Sequence, residues 1–140
     1  MMTTFDFNDG NGPVPAHKHP NGGGWVADTA KVDETAYVGR DARVYGDARV
    51  YDNAMVGGYA MVYDYAMVYD NAMIGGYARV YGDAQVYDNA MIGGYAMVYG
   101  NATVGGDTYR ADENILRSPV HPAGVRIEIN GKQYKLVEIV

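Results

Sequence analysis

Between Val26 and Tyr109 the chain counts in sixes. The segment reads VADTAK, VDETAY, VGRDAR, VYGDAR, VYDNAM, VGGYAM, VYDYAM, VYDNAM, IGGYAR, VYGDAQ, VYDNAM, IGGYAM, VYGNAT and VGGDTY, fourteen hexads over 84 residues without an insertion. Position one is Val or Ile in every hexad, and position five is Ala in thirteen, with Thr108 in the last. A period of six suits neither an amphipathic helix nor a heptad. β-Branched Val, small Ala and turn-forming Gly, Asp and Asn instead predict short strands joined by tight turns. A longer period lies over the first, because Gly39, Gly57, Gly75 and Gly93 recur every 18 residues, as do Asp52, Asp70 and Asp88. Three hexads therefore close one coil, and the expected fold is all-β: a parallel β-helix of about 4.7 coils with Val pointing in and Ala at the corners. At the spacing of stacked strands the prism is roughly 20–25 Å tall.

This aliphatic-x-x-x-small-x pattern resembles the left-handed β-helix of the hexapeptide-repeat superfamily. The resemblance covers residues 26–109 and implies the left hand. It also implies a homotrimer, the common assembly of that superfamily. The V-Y-G-N-A-like hexads, with the opening GPVPAH-H-NGGGW, also resemble bacterial and bacteriophage proteins, a likeness that implies a virion setting and no activity.

Two flanks complete the chain. Residues 1–25 form an N-terminal cap or extended arm rich in Gly, Pro and Asn, with Trp25 expected to lid the first coil. Residues 110–140 contain a hairpin signal, VRIEI and KQYKLVEI about Asn130-Gly131. That turn places Val125, Ile127 and Ile129 beside Leu136, Tyr134 and Lys132.

Outward positions fall into columns on three sides. One side carries Tyr37, Met55, Met73 and Met91 beside the glycines at 39, 57, 75 and 93, and has no charge in its strands. A contiguous apolar side of that kind marks an interface, so Met55, Gly57, Met73, Gly75, Met91 and Gly93 are the candidate contact residues. The other sides carry Tyr columns at 45, 63, 81 and 99 and at 51, 69 and 87, and a corner adds Tyr59, Tyr77 and Tyr95. Such stacks serve sheet packing, adhesion, or both. The column of Asp52, Asp70 and Asp88 reads as turn capping rather than a calcium ladder, which needs six to eight oxygens per ion. Beside it, Asn53, Asn71 and Asn89 are expected to stack their amides and to tolerate positive φ.

Chemistry is sparse. Acyltransferases of the superfamily use a catalytic His near the coils, and its gamma-class carbonic anhydrases bind zinc through three His. Here the 84 repeat residues hold no His and no Ser. His17, His19 and His121 lie in the flanks and are weak candidates for a metal site, His17 and His19 because alternate residues of an extended segment share a side. No cofactor is expected. Gly22-Gly23-Gly24 lacks the context of a phosphate loop and reads as a tight connector. The composition (48% hydrophobic, 20% charged, no Cys, net charge −6) argues against nucleic-acid binding. Nothing approaches a membrane span or a secretory signal peptide. The expectation is a non-catalytic structural or adhesive trimer partnering a capsid or other virion protein, located in a virion or the cytoplasm. The alternatives are a small acyltransferase-like or gamma-carbonic-anhydrase-like enzyme and a carbohydrate-binding module on the Tyr columns.

Overall fold

A computed structural model describes residues 3–107, 109–111, 114–115, 125–129 and 132–136, with side chains from Thr3 to Asp107. The hexads fold as anticipated at their simplest level. Each contributes a strand of two or three residues, made of position six and the following position one, such as Met67–Val68 and Met73–Ile74. Position five closes each turn by donating its N–H to the carbonyl of position two, as Ala54 does to Tyr51 and Ala78 to Gly75.

Strands pair in parallel with the strand one coil on. Met67 pairs with Arg49 on one side and Gln85 on the other, and Met73 with Met55 and Met91. The result is a parallel β-solenoid of about four turns with three faces. The first face runs through Arg43, Met61, Arg79 and Met97, the second through Lys31, Arg49, Met67, Gln85 and Thr103, and the third through Tyr37, Met55, Met73, Met91 and Tyr109. The spacing of 18 holds to Tyr109 and then shortens, since Met97 pairs with Asn114. No helix occurs among the described residues.

The core is one residue wide on each face. Val38, Val44, Val50, Val56, Val62, Val68, Val80, Val86 and Val98 have no exposed surface, and neither do the corner alanines from Ala36 to Ala102. Burying such a Val contributes roughly 1.5–3 kcal/mol before chain entropy is subtracted.

The N-terminal segment is not an extended arm. β1 (Thr4–Asp6) and β2 (Pro13–Lys18) pair antiparallel, and β2 pairs antiparallel with β3 (Trp25–Ala27), the first strand of the first face. Phe7 and Ala16 are buried on this cap with Ala27 and Tyr45, and Phe5, Val14, Trp25, Met61 and Tyr63 pack around them. Trp25 therefore does not lid the coil. It occupies position six ahead of Val26, which points outward in every hexad, and it stacks on Phe5 at 4.7 Å.

The end of the coil is closed instead by residues 19–24. Gly24 donates to the Val38 carbonyl at 2.9 Å, and Val38 donates to Asn21 at 3.0 Å. A Cβ at Gly22 or Gly24 would strike the carbonyls of Val38 and Gly39, so the glycines permit close backbone contact. At the other end Val125–Ile129 and Lys132–Leu136 form the expected hairpin, with Ile127 opposite Tyr134, extending the first face. Its turn residues lie outside the described set.

Candidate functional site

The third face is built from one hexad type repeated three times. Met55, Met73 and Met91 form a ridge, 39–41% exposed, while Val56, Ile74 and Ile92 point inward between them and the glycine column. Gly57, Gly75 and Gly93 form the floor of a groove of about 360 Å³. Neither Gly57 nor Gly75 has positive φ, and a Cβ on either would meet nothing within 4 Å. The fold itself does not require glycine there.

Elsewhere a glycine at the same hexad position is covered. The ring of Tyr37 lies over Gly39, with atoms 3.3 and 3.6 Å from where a Cβ would stand, and the Tyr87 ring lies over Gly105. The groove at Gly57 and Gly75 is thus the same trough without its ring. Beyond the glycines stand Tyr59, Tyr77 and Tyr95, 51–68% exposed, and beyond the methionines Asn53, Asn71 and Asn89. These flanking columns follow the same 18-residue period and are the edges of one surface.

The sequence-predicted histidines separate. His17 is exposed and its Nδ1 lies 2.7 Å from Asp28 Oδ1. His19 is buried, donating from Nε2 to the Ala36 carbonyl at 2.8 Å, which Asn21 also reaches with its side-chain amide at 3.0 Å. The alternation expected to bring them together ends with β2 at Lys18. His121 lies outside the described residues. Among the described residues no three His, Cys, Asp or Glu side chains are placed to hold a metal.

The acidic corner is occupied with backbone work. The Oδ2 atoms of Asp52, Asp70 and Asp88 accept the N–H of Asp70, Asp88 and Gly106, each one coil on, at 3.0–3.1 Å. Capping thus links successive coils rather than closing its own turn. Positive φ falls on these aspartates, at 57–61°, and not on the neighbouring asparagines. Nor is an asparagine ladder needed at the last step, since Asn89 gives its amide to Asp107 at 3.1 Å.

The first face carries the longest aromatic stack. Phe7, Tyr45, Tyr63, Tyr81 and Tyr99 follow one another at centroid distances of 4.8–5.2 Å, stacked with their planes nearly parallel. Burial, and next the neighbouring Tyr63 phenol, push Tyr45 up to about 12. Burial also raises Tyr63, Tyr81 and Tyr69, each with help from the next ring in its column. Tyr59, Tyr77 and Tyr95 stack at 5.0 Å along the corner. Rings stacked in this way spend their faces on one another and turn edges outward, which disfavours them as platforms for sugar rings.

A family model described as the YdcK β-solenoid repeat matches residues 42–58, 48–64 and 84–98. No curated protein and no solved structure matches the chain. The chain is similar to that family in its repeat, which agrees with the solenoid built from its strands.

Proposed function

We propose that this protein is a non-catalytic structural or adhesive element, a rigid prism that self-associates. The observation that carries this reading is the methionine–glycine trough, a regular apolar surface that no described residue of the chain covers. Methionine adapts to irregular neighbours, and a glycine floor admits close approach. The remainder of the surface supports a scaffold role, because its tyrosine columns stack and Asp52, Asp64, Asp70 and Asp88 bond to the next coil. The left hand of the coil, the homotrimer and a place in a phage particle as decoration, cement or fibre rest on the resemblance described first. They belong to this proposal.

The test has two arms. Light scattering of the purified chain is expected to give an oligomer, and Gly75→Glu, placed where the fold has open space, is expected to dissociate it without loss of folding. Assays of acyl transfer to amines and of carbon dioxide hydration are expected to give no turnover. Robust turnover that disappears when His17, His19 and His121 are all replaced by Gln would overturn the structural reading and favour the enzyme.

A further inference from the structure

The geometry points to a parallel dimer, in which two copies meet on their methionine–glycine faces about a two-fold axis parallel to the coil axis. This inference rests on the self-association proposed above, replaces the homotrimer implied by the resemblance with a dimer, and fixes the partner and the symmetry. The face reads Asn-x-Met-Val-Gly-x-Tyr at its first level, from Asn53 to Tyr59, and repeats with Ile at the centre from Asn71 to Tyr77 and from Asn89 to Tyr95. Val56, Ile74 and Ile92 mark its midline, with Met and Gly one residue to either side and Asn and Tyr three residues to either side.

A two-fold axis along that midline exchanges left and right and leaves height unchanged. Met73 of one copy then stands over Gly75 of the other, and Gly75 receives the other Met73. The same holds for Met55 with Gly57 and Met91 with Gly93. Asn71 meets Tyr77, a pairing of amide with phenol in which both groups can donate and accept. Every ridge finds a trough, and all three levels match because both copies share one coil spacing. The trough accepts such a guest: Tyr37 already fills the equivalent space over Gly39 from within the chain.

The alternatives use the face less well. An axis perpendicular to the coil, across the face, sets methionine on methionine and leaves glycine over glycine. A three-fold axis joins two different patches, so the complementarity of this face with itself goes unused. Charge agrees. The net charge of −6 opposes pairing in general, but the parallel two-fold places the acidic corners of Asp52, Asp70 and Asp88 on opposite edges of the contact.

The chain has no cysteine, so cross-linking can read the arrangement directly. Asn71→Cys and Tyr77→Cys are prepared separately, at exposed sites, and treated with a short bismaleimide alone and after mixing. In the parallel dimer Asn71 lies against Tyr77 of the second copy, while the two Asn71 sites are about 20 Å apart, six residues of strand. The expected result is a mass of two chains by light scattering, with cross-linked dimer only in the mixture. Gly75→Leu, which keeps an ordinary φ and enters open space, is expected to fold normally and halve the mass. Cross-linking of Asn71→Cys alone would overturn the parallel arrangement, and so would a wild-type dimer that gives no cross-link in the mixture. A trimer would overturn the two-fold pairing and leave self-association standing. A monomer at the highest soluble concentration would remove both.

Discussion

Position three of the hexad is left-handed from Gly46 to Gly106, and only Gly or Asp fills it. The neighbouring glycines 75 and 76 show what this implies. Gly76 has φ +61°, and a Cβ there would lie 2.7 Å from the Gly94 nitrogen, whereas Gly75 faces open space. Gly76→Ala is expected to cost about 2 kcal/mol or more in chemical denaturation, from left-handed strain and collision, and Gly75→Ala less than about 0.5 kcal/mol. Equal losses would contradict the distinction. The aspartates carry a similar strain and offset it with the N–H of the next coil. Asn tolerates positive φ generally, which makes the neighbouring asparagines the expected carriers. The restriction of position three to Gly or Asp was the better signal. Tyr45 adds a pH effect. An unfolded tyrosine ionises near 10.0 and the folded Tyr45 at about 12. Its protonated form is therefore favoured by folding, so this stabilisation is complete below pH 10.0 and is lost as pH rises through about 12. Denaturation measured across that window should show falling stability, with a shallower fall in Tyr45→Phe.

The caps separate what the elements disclosed from what they concealed. The C-terminal hairpin was legible, register included, because alternation on both sides of Asn-Gly leaves one pairing that keeps its apolar residues together. β2 was not. Its sequence, PVPAHK, carries two prolines that mimic a loop, and its partners are strands whose positions no local pattern gives. Trp25 was misplaced for a different reason: its nearness to the end outweighed the rule that position six points outward. The cap is expected to add real stability. Phe7 is 2% exposed and stacks on Tyr45 at 4.8 Å, so Phe7→Ala should cost about 3–5 kcal/mol. Denaturant titration followed through Trp25, the sole tryptophan, would show it. A change below about 1 kcal/mol would mean that the cap is peripheral to the fold.

For the whole molecule, the period made distant pairing readable, since a residue's neighbours in space lie 18 positions away on either side. The same repetition could not reveal what rests against the outer faces, because nothing in the coil depends on it. A one-residue-wide core leaves no place to hide a charge. Val68→Asp, at a site with no exposed surface, is expected to abolish the cooperative melt and the β circular dichroism. A folded variant would mean that the interior is far more forgiving than its packing indicates. The aromatic ladder has a further, optical consequence. Phenol rings about 5 Å apart from Tyr99 down to Tyr45 lead through Phe7 and Phe5 to the indole of Trp25. Light absorbed by any of these tyrosines can pass among the phenols and then, by direct dipole coupling past the higher-energy phenylalanines, to the lower-energy indole at the N-terminal end. The folded prism should therefore behave as an antenna, emitting as tryptophan when tyrosine is excited, and unfolding the coils should return the emission to tyrosine.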